Sequence, residues 1–157
     1  MRISDYMQDS LIALDGEAET KDEAISKTVD LLKQSGAVAN AEKFLSAVLE
    51  RESLGSTAIG RGIALPHART QYIEEITIAF MRLKEGVDFS AVDGEPVRLI
   101  FLMGTPLKKV SEYLTVLSRL SNILKDESVR KQIYKAKSPF EIRTLFKKHD
   151  VLSDNPG

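Results

Sequence analysis

Two short, almost unbroken apolar runs, Ile76 to Leu83 and Val97 to Met103, constrain this chain most. They carry β-branched and aromatic residues and are too short for ordinary helices, so they read as strands. Neither alternates with polar residues, so both faces of their sheet must be covered. Asp93-Gly94 between them supplies a turn. Material for the covering layers lies on either side in the sequence. Thr20 and Glu23 form a capping box, after which Ile25, Thr28, Val29 and Leu32 recur at helical spacing until Gly36. Asn40 caps a second helix with Phe44, Leu45, Val48 and Leu49 as its apolar stripe, ending before Gly55. Beyond Gly104 and Pro106, the residues Val110, Tyr113, Leu114, Leu117, Leu120 and Leu124 mark one face of a long helix. Asp126 caps a short helix carrying Val129 and Ile133, and Ser138-Pro139-Phe140-Glu141 opens a last helix that reaches about Lys148. The expected fold is α/β: a single mixed β-sheet flanked on both faces by helices, a sandwich.

A chain of 157 residues with no internal repeat and no low-complexity linker fits one domain, placed at 1–150, with a small polar tail at 151–157 expected to fray. Charge is balanced, 22 Lys plus Arg against 23 Asp plus Glu, which argues against a dedicated nucleic-acid partner. The N-terminal stretch holds Asp5 and Asp9 where an export signal needs apolar residues, and no apolar run approaches the ~18 residues of a membrane span. Export and membrane insertion are therefore not expected. The absence of cysteine excludes disulfides, thiol nucleophiles and sulfur-ligated zinc, and suits the cytoplasm.

Little of the usual catalytic vocabulary is present. No Gly-x-Ser-x-Gly elbow exists, and the two histidines, His67 and His149, form no metal-binding pattern, so neither metal nor cofactor is expected. Gly55-Ser56-Thr57-Ala58-Ile59-Gly60 has the glycine spacing of a phosphate-binding loop, but Arg61-Gly62 stands where lysine and a hydroxyl residue would hold a nucleotide and magnesium. Nucleotide binding is rejected; an anion such as a protein-borne phosphate still suits the convergent donors. His67 follows Gly62-Ile63-Ala64-Leu65-Pro66, where proline restricts its own φ and pushes Leu65 to an extended conformation, fixing the imidazole at a strand end. A neutral imidazole is a nucleophile toward phosphorus if nearby donors balance the phosphoryl charge, and Arg51, Ser56 and Thr57 can supply them. Each residue also has an ordinary structural reading. His67 could be a partly buried structural histidine, Arg51 a complement to a helix dipole, and Ser56 and Thr57 turn residues. Arg61 and Arg69 read as solvated surface, with partner docking as the alternative, and His149 as an exposed helix end.

The run Arg51-Glu52-Ser53-Leu54-Gly55-Ser56-Thr57-Ala58-Ile59-Gly60, followed by Gly62-Ile63-Ala64-Leu65-Pro66-His67, resembles the signature of enzyme IIA proteins of the fructose/mannitol family of the phosphoenolpyruvate:sugar phosphotransferase system. The similarity runs from Ile3-Ser4-Asp5 to the helix with Leu114, Leu117, Ser118 and Leu120, and is most like the nitrogen-regulatory type. The resemblance implies a mixed sheet flanked by helices and a phosphotransferase component with a phosphohistidine intermediate. It implies that His67 takes a phosphoryl group from a histidine-containing phosphocarrier protein, with Arg51 neutralising the phosphoryl oxygens. Many relatives have a second histidine where this chain has Tyr113, which is neutral at pH 7 and can donate one hydrogen bond to a phosphate. Tyr113 could equally be the polar edge of a core-facing stripe. Three functions remain open: a cytoplasmic phosphocarrier that regulates a downstream target by its phosphorylation state, a sugar-specific enzyme IIA passing phosphate to an enzyme IIB, and a binding module that keeps the fold without phosphorylation.

Overall fold

A computed structural model describes residues 2–150; the expected frayed tail, 151–157, lies outside the described residues. Two short 3-10 turns, Ile3–Tyr6 and Asp9–Leu11, lead into β1 (Ile12–Gly16), α1 (Lys21–Ser35) and α2 (Ala41–Ser53). Four strands follow the helices: β2 (Ala58–Gly60), β3 (Ile63–Ala64), β4 (His67–Thr70) and β5 (Thr77–Val87). The chain continues through β6 (Val97–Pro106), α3 (Val110–Leu124), α4 (Glu127–Lys135) and α5 (Pro139–His149). The helix boundaries follow from their caps. Thr20 accepts from the Glu23 N–H, Asn40 from Lys43, Asp126 from Ser128 and Ser138 from Glu141, while Gly36 closes α1 with a left-handed φ of 78°.

The six strands form one mixed sheet in the order β1-β5-β6-β3-β2, with β4 also pairing β6. The two long apolar runs are its centre, as their pattern predicts: β5 and β6 pair antiparallel, with Phe80 opposite Phe101 and their rings stacked at 4.4 Å. Both faces are covered. On one side Ile78, Phe80, Leu99 and Phe101 pack with Leu120, Leu124, Ile133 and Phe146 of α3, α4 and α5. On the other, Ala79, Met81, Ile100 and Leu102 pack with Ile25, Leu32, Phe44 and Val48 of α1 and α2. The α/β sandwich expected from the sequence is the fold observed. Among the described residues, no helix is long and apolar enough to cross a membrane.

Two expectations are corrected. The inward face of α3 consists of Val116, Leu120, Ile123 and Leu124, while Val110 and Leu114 are 41% and 54% exposed. The apolar stripe therefore leaves the core at the N-terminal end of the helix, where it borders a surface hollow instead of the sheet. His149 does end α5 but is half-buried, with its Nε2 shielded from solvent, because the helix end packs into a cleft beside Arg119 and Ile123.

Candidate functional site

The site is built on a broken strand beside β6. β3 and β4 run along the same side of β6, both parallel to it and in unbroken register: Ile63 lies opposite Leu99 and His67 opposite Met103. Leu65 and Pro66 interrupt the line. Proline has no N–H to donate, although its carbonyl accepts from Met103 at 2.9 Å, and the Leu65 N–H turns away to the Thr57 carbonyl at 3.0 Å. His67 thus opens a second strand segment; it does not end one, and the segment's β-pairing fixes its backbone.

The imidazole itself is fixed through Nδ1, which donates to the Leu65 carbonyl at 2.9 Å. A carbonyl can only accept, so the proton resides on Nδ1 and the lone pair of the neutral ring on Nε2. Burial pushes the His67 pKa below the ordinary 6.5 and the Arg51 guanidinium lowers it further, while the Leu65 carbonyl and Glu52 act in the opposite sense. Above that pKa, the half-buried ring offers an unprotonated nitrogen at a defined place.

His67 and Arg51 both line two adjoining hollows. The larger, about 470 Å³, is completed by Leu54, Arg69, Val110 and Tyr113; the smaller, about 220 Å³, by Ser56, Thr57, Ile59 and Leu117. Arg51 reaches this place because it lies in the last turn of α2, where its Nη1 donates to the Gly55 carbonyl at 2.9 Å. The Tyr113 ring lies 5.5 Å from the His67 ring, tilted by 45°. Its hydroxyl stays protonated: burial raises its pKa above 10, partly opposed by Arg51 and Arg69.

The sequence-derived donors separate into two groups. His67, Arg51 and Tyr113 are brought together in one hollow. Ser56 and Thr57 are adjacent, but their hydroxyl protons are directed elsewhere: Ser56 donates to the Phe89 carbonyl at 2.5 Å and buried Thr57 to Glu52 at 2.6 Å. Both hydroxyls shape the loop that borders the site. Glu52 was not singled out from the sequence, although Phe44, Val48 and Glu52 recur every four residues and all three are buried. That period places a carboxylate on the inward face of α2, directly beneath the loop.

Comparison with known proteins gives the family and the fold of the chain. Residues 5–149 match the family model described as phosphoenolpyruvate-dependent sugar phosphotransferase system, EIIA 2. The chain is 39% identical over 92% of its length to a fructose-specific EIIA component from Haloferax volcanii, covering 90% of that protein. It is 37% identical over 96% of its length to a fructose-specific EIIABC component from Bacillus subtilis, of which it spans only 24%. Among solved structures, the nitrogen regulatory protein IIA-Ntr from Neisseria meningitidis superposes with a TM-score of 0.86 at 33% identity, covering 92% of this chain and 98% of that one. Mannitol enzyme IIA in its complex with phosphorylated enzyme IIB from Escherichia coli superposes with a TM-score of 0.76 at 27% identity, covering 90% of this chain and 99% of that one. With residues 5–149 matched by the family model and a relative 39% identical over nearly its whole length, the protein belongs to the EIIA 2 family of the phosphoenolpyruvate-dependent sugar phosphotransferase system.

Proposed function

We propose that this chain is a cytoplasmic phosphocarrier that accepts a phosphoryl group on Nε2 of His67 from a histidine-containing phosphocarrier protein, and that its phosphorylation state regulates what it binds. The observation that carries the reading is the hydrogen bond from His67 Nδ1 to Leu65, which leaves Nε2 as the ring's basic nitrogen. As the new bond from Nε2 to phosphorus forms, the nitrogen–phosphorus bond of the donor breaks and its imidazole departs with the electron pair. The His67 ring, retaining its Nδ1 proton, gains cationic character that the Leu65 carbonyl dipole stabilises. Arg51 neutralises charge on the equatorial oxygens, and Tyr113 donates one hydrogen bond to them. Because the hollows are shallow and open, a protein-borne phosphoryl group can approach in line with Nε2.

Regulation follows from charge. A phosphoryl group adds about −1.5 to −2 to a surface edged by exposed Leu54, Val110 and Leu114, so a partner docking on that apolar rim discriminates the two forms. The close superposition on a nitrogen regulatory IIA protein supports this role. A second reading, a sugar-specific enzyme IIA handing its phosphoryl group to an enzyme IIB, is favoured by the 39% identity to a fructose-specific EIIA component.

The test is incubation with phosphoenolpyruvate, enzyme I and the phosphocarrier protein, comparing the native chain with His67→Ala. An acid-labile label on the native chain alone is expected; equal labelling of both refutes the acceptor. Rapid onward transfer to an enzyme IIB with coupled sugar uptake would replace the regulatory role with the transport one.

A further inference from the structure

Arg69 read as solvated surface in the sequence, yet β4 places it in the site. His67 and Arg69 are two residues apart on one strand, paired with Met103 and Thr105, so their side chains leave the same face of the sheet. Both border the 470 Å³ hollow with Arg51 and Tyr113. Resting on the reading of His67 as phosphoryl acceptor, we propose that Arg69 is the second cation of this site and holds the transferred phosphoryl group together with Arg51.

Charge accounting carries the argument. A phosphoryl group brings about −1.5 to −2 charges at neutral pH, which one guanidinium does not balance. The hollow's remaining polar side chains do not complete the balance: the cationic character that the His67 ring gains on phosphorylation is offset by anionic Glu50, and Tyr113 is neutral. Among the described residues, Arg69 and Arg51 are the two permanently cationic side chains of its lining. The two arginines also differ in readiness. Arg51 is tied to the Gly55 carbonyl at 2.9 Å, which orients it, whereas Arg69 makes a long 3.5 Å contact from Nη1 to the Leu107 carbonyl. The exposed Arg69 guanidinium can therefore move onto an incoming anion, with its planar fork matched to two oxygens. Arg51 and Arg69 project from different elements, α2 and β4, so together they approach the phosphoryl oxygens from more than one side.

The alternative role for Arg69 is contact with an acidic patch on a protein donor. A small phosphodonor separates the two, because it has no docking surface. The native chain, Arg69→Gln, Arg69→Lys and His67→Ala are each labelled with potassium phosphoramidate alone, and the initial rates are compared. Arg69→Gln is expected to lower the rate about ten-fold, the scale of one lost charge-assisted contact, with Arg69→Lys restoring part of it. A native rate for Arg69→Gln with phosphoramidate overturns the proposal, even if its labelling by the phosphocarrier protein is slowed. Labelling of His67→Ala at the native rate overturns instead the acceptor reading on which it rests. Because Arg69 is exposed, loss of fold does not confuse the comparison; matching circular dichroism and melting of the variants checks this.

Discussion

Glu52 and Thr57 are joined twice: the Glu52 carboxylate accepts from the Thr57 backbone N–H at 3.0 Å and from its hydroxyl at 2.6 Å. The pair ties the inward face of α2 to the loop that carries Ser56 and Thr57 past His67. Glu52 is 3% exposed, and Lys21 of α1 approaches it at 3.8 Å. Its charge is thus compensated by two hydrogen bonds and a lysine, and the loop conformation depends on it.

Removing that carboxylate strands two buried donors. Glu52→Ala is expected to cost about 2–4 kcal/mol of folding stability, since hydrogen bonds to a charged group contribute about 1.5–3 kcal/mol each and are not additive. Glu52→Gln should cost less, because an amide oxygen still accepts from Thr57. Urea unfolding at constant pH measures both, and a loss below about 0.5 kcal/mol for the alanine variant would contradict the role.

The depressed His67 pKa makes a prediction about pH. The nucleophilic neutral ring predominates above the folded-state pKa, which lies below 6.5, so phosphoryl acceptance should stay near its maximum through neutral pH and fall only in more acidic solution. The stability effect has the same direction. Since the unfolded ring protonates first as pH falls, His67's contribution is fully present above about 6.5 and is lost between that value and the lower folded pKa. Ring-proton NMR titration of the native chain reads the pKa directly, and a midpoint at or above 6.5 would contradict the burial of the ring.

The legible parts of this molecule are those where local chemistry decides the outcome. Thr20, Asn40, Asp126 and Ser138 cap helices where the sequence places them, because a side-chain oxygen and a free N–H meet within a single turn. The strands β5 and β6 are evident from apolar runs that no single-faced sheet could hide. His67 and Arg51 emerge from a local motif, with the family resemblance joining them. Strand order was not legible, since the parallel partners of β6 are set by packing between distant segments. β1 was not legible because its apolar run, Ile12-Ala13-Leu14, is broken at once by Asp15 and Gly16. Arg69 and Glu52 illustrate the remaining gap. Their positions depend on which way a strand or helix face points, and that becomes definite only when β4 is paired with β6 and α2 is seated on the sheet.

The glycine-rich segment carries a prediction that separates backbone conformation from crowding. Gly36 and Gly62 have nearly identical left-handed φ values, 78° and 79°. A Cβ at Gly36 would meet nothing within 4 Å, whereas one at Gly62 would lie 3.3 Å from both the Pro96 carbonyl oxygen and the Tyr134 hydroxyl. Both alanine variants incur the left-handed penalty of about 1–2 kcal/mol, and Gly62→Ala should lose measurably more. Equal destabilisation in chemical denaturation would show that the neighbours of Gly62 move aside freely.

Arg82 is the clearest place where one side chain holds two layers together. From β5 its Nε donates to the Leu14 carbonyl at 3.1 Å, and its Nη1 approaches the carbonyls of Ile133, Tyr134 and Ala136 at 2.9, 3.2 and 2.8 Å. These last three belong to the C-terminal end of α4, which carries the negative end of its dipole; of them, Ile133 also accepts from the Ala136 N–H at 3.4 Å. Arg82→Met keeps the aliphatic stem but removes every donor, so about 2–4 kcal/mol should be lost, on the scale of several charge-assisted hydrogen bonds left half-made. The effect should be local as well as global. Amide hydrogen exchange in the last turn of α4 should accelerate more than exchange in α2, because α4 loses its anchor to the sheet while α2 keeps Phe44 and Val48 buried. Unaltered exchange in α4 together with unaltered stability would mean that packing of Val129 and Ile133 alone holds the helix in place.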